Sequence, residues 1–414
     1  MNQRNLQVLV LLLLVSAVHA WTRGDVAVLE QFEFVGDSHE AFGKALGQRF
    51  GDKIRARVQA NLKLQTRLLP YVQTTQKGRD AYELFLKTHE ATFPTYMEEL
   101  RGIAEGSGVP FETIFVMNLS EEFDDVVPTD FTRGAGSRLA HEKTLRCSDI
   151  VLVGGPDNLR VVAHNEDADV ADVNHTAIVV AKIGANPKFV AYTYLGDLPS
   201  GAFGFNDKGV AFTLNFVQPS DVETGGLGRG FISRDLLWAH DIDDAFRRIA
   251  RPHQGSGHNY QLMDVTTARI WNVEAAALNR IASQEFLPPL NQSEVTTFFH
   301  ANQYQLLNIA QPPYDSSLHR LKRYSEVQKP TTVAEALTVL GDQHDRLYPI
   351  FHDVLSHEKG ELSGWTLTTI VFDLHEKKAV SYRGNPSKQQ KEFLWDLEKL
   401  TVEKISDKSI MMQK

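Results

Sequence analysis

The chain has one cysteine, Cys147, in 414 residues, so no internal disulfide can form and the fold must be held by its core. It has no dense basic run and no stacked-aromatic motif, and its net charge is −9; together these argue against a nucleic-acid partner. No apolar stretch reaches the roughly 20 residues that a membrane span needs. Among the histidines near the C-terminus, His344, His352 and His357, the last two are five apart rather than four as on a zinc-protease helix. No metal and no cofactor are expected. What remains, 42% hydrophobic and 23% charged residues, is the composition of an ordinary globular enzyme, long enough for a large core or two domains.

Residues 1–20 read as a secretory signal peptide: Arg4 in a polar opening, an apolar run from Val8 to Val15, and Val18-His19-Ala20 before Trp21. The mature chain is therefore expected to be secreted or lumenal, the lysosome included. Three glycosylation acceptors, Asn118, Asn174 and Asn291, each stand two residues before a Ser or Thr and fit that compartment. There a lone thiol is an oxidation hazard unless it is buried in the core or has a chemical task.

Apolar residues recur at steps of four through Phe42, Leu46, Phe50, Ile54, Val58 and Leu62, which predicts a long amphipathic helix between Asp37 and Leu69. A second is predicted from Arg79 to Glu105, stopped by Gly106 and Gly108. Between Glu121 and Lys143 the acidic, Gly- and Ser-containing sequence reads as an exposed, mobile linker. Beyond it come β-type runs: Ile150 to Val153, Val161 to Ala163, Ala177 to Ala181, Phe189 to Tyr194 and Val210 to Leu214. Cys147 thus opens a β-rich half directly after a linker.

That position has a chemical meaning. If the preceding peptide bond is cut, the new α-amino group, with a pKa of roughly 7.7 to 8.0, can serve as general base for the thiol beside it. A cysteine in mid-chain has no such base.

The motifs, in order, are Glu99 to Gly106, Cys147-Ser148-Asp149, Ala163-His164-Asn165-Glu166-Asp167, Gly204 to Ala211, Thr213-Leu214-Asn215-Phe216, Asn259-Tyr260, His300-Ala301-Asn302-Gln303-Tyr304, and a terminal hairpin from Thr366 to Asp373 returning at Ala379 to Arg383. Spanning most of the mature chain, this series resembles the N-terminal-nucleophile hydrolases of the penicillin acyltransferase and β-alanyl-dopamine hydrolase family, and more remotely the bile salt and penicillin V hydrolases. The resemblance implies Cys147 as nucleophile and Asp167 as the acid that holds its amino group. It implies Asn259 as the oxyanion donor, with the Asn215 backbone N–H as a second. It also implies an arginine near the nucleophile, for which Arg320 fits best and Arg323 is the alternative. Each has a plainer reading: Asp167 as one of a solvated acidic run, Asn259 as a turn residue, the arginines as a solvated helix face. His164 stands where the bile salt hydrolases carry an arginine and reads as a surface or packing histidine.

The expected fold is α+β, a four-layer αββα sandwich. Its precursor segment, residues 21–146, would be mainly helical, and residues 147–414 would form the β-rich catalytic chain. Cleavage between Arg146 and Cys147 would leave the two chains associated. The expected partner is a small-molecule N-acyl substrate, hydrolysed or used for acyl transfer at a linear amide. Two other readings are a lysosomal lipid amidase similar to acid ceramidase and a non-catalytic secreted binding protein retaining the fold.

Overall fold

The computed structural model describes residues 28–129, 131, 147–353 and 364–405, so the expected signal peptide, most of the expected linker and Arg146 lie outside the described residues. The first portion folds as β1 (Glu30–Gly36), α1 (His39–Ala60), α2 (Leu69–Thr74), α3 (Gln76–Thr92), α4 (Pro94–Ser107), α5 (Phe111–Asn118) and α6 (Ser120–Val126). The two long helices expected here are each divided. Leu64–Leu68 form a π-helical turn after α1. Phe93 caps α3 because Pro94, which has no N–H to donate, starts α4 at its first turn.

The expected linker is also corrected at its start. Residues 120–126 are helical, and Glu122 and Asp124 are buried: Asp124 accepts from Arg67 Nε at 2.8 Å, and Glu122 accepts the Arg229 backbone N–H at 2.8 Å.

Two sheets stack face to face. One contains β1, β4 (Thr176–Ile183), β5 (Phe189–Tyr194), β6 (Phe203–Asn206), β7 (Val210–Phe216), β8 (His258–Asp264), β9 (Arg269–Ala276) and β10 (Arg280–Glu285), in that order. The other runs β11 (Val295–His300), β2 (Ser148–Gly154), β3 (Leu159–Asp169), β12 (Gly364–Asp373), β13 (Lys378–Tyr382), β14 (Lys391–Asp396) and β15 (Thr401–Lys404). Strand β1 pairs parallel to β4, so the portion before Cys147 is woven into the sheet of the second portion; the other ladders between these strands are antiparallel.

Alternation along each strand then sorts the side chains into three cores. Val151, Val153 and Val162 meet Val190, Tyr192, Phe203 and Phe205 between the sheets. Val179, Phe189, Phe212 and Leu214 face the helices of the first portion together with α7 (Arg229–Leu236) and α8 (Ile242–Ile249). On the far side Ile150, Leu152 and Val161 face α9 (Asp315–Glu326) and α10 (Val333–Leu340). The result is the expected αββα sandwich.

The motif Glu99 to Gly106 owes its glycines to packing. A Cβ at Gly102 would lie 2.2 Å from Glu40 O, and one at Gly43 2.0 Å from Glu99 O, so α1 and α4 touch backbone to backbone. Gly102→Ala gains about 1 kcal/mol of helix propensity but must force two backbones apart, an overpacking cost of about 1–3 kcal/mol or more. We expect a lower midpoint in chemical denaturation; an unchanged or raised midpoint would contradict the close packing.

Candidate functional site

Cys147 stands one residue before β2, and the register of β2 with β3, Ser148 opposite Asn165 and Asp149 opposite His164, fixes which side chains share its face. Cys147 and Asp149 point between the sheets, as do His164 and Glu166; Ser148, Asn165 and Asp167 point the other way, under α9 and α10. On the inner face the Cys147 thiol donates to Glu166 Oε2 at 3.5 Å and lies 3.9 Å from the Asp167 carbonyl oxygen. His164 bridges two carboxylates, Nδ1 to Asp149 Oδ1 at 2.7 Å and Nε2 to Glu166 Oε2 at 2.8 Å. From the facing sheet, Tyr194 donates its O–H to Glu166 Oε1, Asn215 donates its amide to Asp149 Oδ2, and Thr213 Oγ1 donates to Asp149 Oδ1 at 3.2 Å. Every member of this cluster is buried.

Burial governs the proton affinities. It pushes the Cys147 thiol up to about 11, seconded by the charge of Glu166 and opposed by the hydrogen bond from His164. For His164, burial works against the charged form, but Asp149 and its bonds to both carboxylates outweigh it and hold the imidazolium well above the ordinary histidine range. Asp149, although buried, is held below the usual carboxylate range by that imidazolium.

On the outer face, Arg320 is fully buried and donates from Nη1 to the Cys147 carbonyl oxygen at 2.8 Å and to Ser148 Oγ at 2.9 Å. Its Nη2 donates at 2.9 Å to Asn302 Oδ1, and Asn302 is itself anchored by Nδ2 on Phe216 O at 2.8 Å. Arg323 instead pairs with Asp342 at 2.8 Å on the helix surface. Of the two arginines, it is Arg320 that reaches Cys147.

The family described as Acyl-coenzyme A:6-aminopenicillanic acid acyl-transferase matches residues 153–388, more than half of this chain. The chain belongs to that family. It is an enzyme of amide chemistry, an amidohydrolase or acyltransferase acting on carbon–nitrogen bonds outside peptides. Among similar proteins, the β-alanyl-dopamine/carcinine hydrolase of Drosophila melanogaster is 26% identical over 374 residues, 85% of this chain and 92% of that one. The Caenorhabditis elegans N-acylethanolamine-hydrolyzing acid amidase ortholog aligns over 53% of this chain and 100% of its own at 13% identity and a TM-score of 0.34. Penicillin V acylase from Agrobacterium tumefaciens aligns over 63% and 98% at 13% identity and a TM-score of 0.31.

Within this acyl-transferase family member, the expected site residues fall into two groups. Arg320 bonds the Cys147 carbonyl oxygen from the outer face, and Asn215 bonds Asp149 in the inner-face cluster that the Cys147 thiol joins through Glu166 and His164. Asn259 lies opposite Asn215 in the β7–β8 register and accepts its amide at 3.2 Å, but its own amide hydrogens go to Asn272 Oδ1 and Val273 O. It belongs to a row of buried amides rather than pointing at the sulfur. Asp167 is not a solvated member of an acidic run. It is buried on the outer face, accepting from Thr366 Oγ1 at 2.6 Å, with His352 Nε2 3.8 Å from its Oδ2.

His164 is the main correction: the expected surface or packing histidine is central to the cluster. Glu166 and Tyr194 were not singled out at all. The period of two was the missed signal, because in His164-Asn165-Glu166-Asp167 the residues that share a face with Cys147 are His164 and Glu166. Arg229, whose guanidinium sits 5.3 Å from the Phe216 ring centre, is also missing from the sequence reading.

The ligand atoms of Cys147, His164 and Glu166 lie within 4.8 Å of one another, a donor set that histidine spacing alone does not reveal. With both imidazole nitrogens engaged by carboxylates, the arrangement found is an acid–base one. Of the glycosylation acceptors, Asn291 is exposed and Asn174 half-buried in a left-handed turn. Asn118 is used internally: Nδ2 donates to Ile114 O at 2.8 Å and Gly196 O at 3.0 Å, and Oδ1 accepts from Leu198 N at 2.8 Å. A glycan there would break at least one of these bonds.

Two outcomes follow. Arg320→Ala leaves the Cys147 carbonyl, Ser148 and Asn302 without their donor, at about 1–3 kcal/mol for each unsatisfied group, and should abolish activity; Arg323→Ala should stay within about 0.5 kcal/mol of the parent. Equal effects in a paired activity and stability assay would contradict the assignment. Burial raises Asp167 from 3.8 to about 6, so its proton is bound more tightly in the folded state. That stabilisation is complete below pH 3.8 and is lost as pH rises through about 6. With the chain kept continuous by Cys147→Ala, adding Asp167→Asn should remove a stability loss on the order of 3 kcal/mol between pH 4 and 7. Parallel stability profiles for the two proteins would refute it.

Proposed function

We propose that this chain is a cysteine amidohydrolase or acyltransferase of the N-terminal-nucleophile type, made as a secreted or lumenal precursor that cuts itself between Arg146 and Cys147. The observation that carries this is the placement of Cys147. It is the only thiol, it stands one residue before the interior strand β2 and after the helical portion, and it is bracketed by Glu166 on one face and Arg320 on the other. The substrate is a small N-acyl compound with a linear amide, and β-alanyl-dopamine, the compound in the name of the fly relative, is the first one to test.

In the proposed cycle Sγ attacks the acyl carbon and the freed α-amino group takes the thiol proton, then returns it to the leaving amine. Water or a second amine resolves the thioester. Asp167, buried on the outer face, steadies the ammonium form. Asn259 serves the oxyanion by exchanging its bond to Asn272 for one to the substrate oxygen.

The test is N-terminal sequencing of purified protein. We expect two fragments that co-elute under native conditions, one of them beginning Cys-Ser-Asp, whereas Cys147→Ala stays whole and inactive. A single uncut chain that turns over N-acyl substrates would overturn this reading.

A further inference from the structure

The continuous chain poses a question of proton bookkeeping. In the uncut precursor the Cys147 nitrogen is an amide and cannot act as a base, so the α-amino group that serves turnover does not exist when the first bond must be cut. The thiol is buried, and its proton must pass to a group in contact with it.

Among the described residues, the surroundings of Sγ leave one group able to take the proton. The Asp167 backbone carbonyl at 3.9 Å is not a base, and the Asp167 carboxylate is on the opposite face with Thr366 and His352. Asp149 is saturated by His164, Thr213 and Asn215. His164 also touches the thiol, but with both nitrogens bonded to carboxylates and the ring held as imidazolium it can donate to the sulfur and not take its proton. Glu166 Oε2 lies 3.5 Å from Sγ on the thiol's own donor line. Its other oxygen is fixed by Tyr194, and His164 orients the carboxylate plane, so the remaining lone pair of Oε2 faces the sulfur.

We propose that Glu166 is the general base of maturation, with His164 and Tyr194 as positioning residues. This rests on the self-cleavage reading above. Glu166 takes the thiol proton as Sγ bonds to the Arg146 carbonyl carbon. The tetrahedral adduct then breaks its C–N bond, and the same proton goes to the departing nitrogen, which becomes the Cys147 α-amine. Water hydrolyses the Arg146 thioester, giving a carboxyl end at residue 146 and restoring the thiol. Glu166 begins and ends ionised, and the new amine becomes the base for turnover.

The test follows processing of the full chain, made by cell-free translation, as a time course on denaturing gels with intact-mass confirmation. Glu166→Gln keeps the shape and can still accept from Tyr194 but cannot take the proton, so cleavage should slow by about 10²–10⁴-fold, the range of general-base catalysis. Glu166→Asp, a carboxylate withdrawn by one methylene, should fall between this and the wild type. Processing of Glu166→Gln at the wild-type rate overturns the assignment; if that variant does not fold, wild-type processing by Glu166→Asp does so instead. A wild-type chain that never cuts removes the self-cleavage reading and this assignment together, whereas a cut wild type with an equally fast Glu166→Gln removes only this assignment.

Discussion

Two carboxylates and a thiol can be buried between two sheets here because His164 stands between Asp149 and Glu166 as their shared cation. An isolated ion in such a place costs several kcal/mol, and removal of one partner leaves that cost uncompensated. The imidazole meets this demand only with help from the facing sheet, where Tyr194, Thr213 and Asn215 bond the remaining carboxylate oxygens. Sheet spacing and strand register are therefore bound to the charge cluster. A slip of one residue between β2 and β3 would trade Glu166 for Asp167 beside the thiol and turn the cluster inside out.

The helical layer is tied to the sheets with comparable force. Arg57 is buried and reaches across to Asp172 at 2.6 Å and Asp197 at 2.8 Å; Glu99 meets Arg234 at 3.0 Å in a pocket walled by Tyr96, Phe189 and Trp238. Together with β1, these bonds join residues before 147 to residues after it. A cut at that point would leave them in place.

Much of this was legible in the residues. Steps of four located the first helix, β-branched runs located β3, β4, β5 and β7, and the position of Cys147 at a strand start pointed to its chemistry. Where the reading failed, long-range physics had replaced local pattern. Residues 120–126 look like linker because they are acidic, yet Asp124 is held by Arg67 and Glu122 by the backbone of Arg229. Strand β1 carries an alternating Phe32 and Phe34, but its pairing with β4 crosses well over a hundred residues that no local window contains. His164 gave no signal by composition; it becomes visible only once β2 and β3 are laid side by side. The choice between Arg320 and Arg323 is likewise tertiary, since both sit on one helix and only one turns inward.

The central claim is that Cys147 carries the acyl group. The most direct measurement is rapid acid quench of the purified protein during turnover of an N-acyl substrate, followed by intact mass and peptide mapping. The account predicts one acyl increment, labile to hydroxylamine, on the peptide that contains Cys147. Turnover with no acyl group on Cys147, persisting in Cys147→Ala, would contradict it.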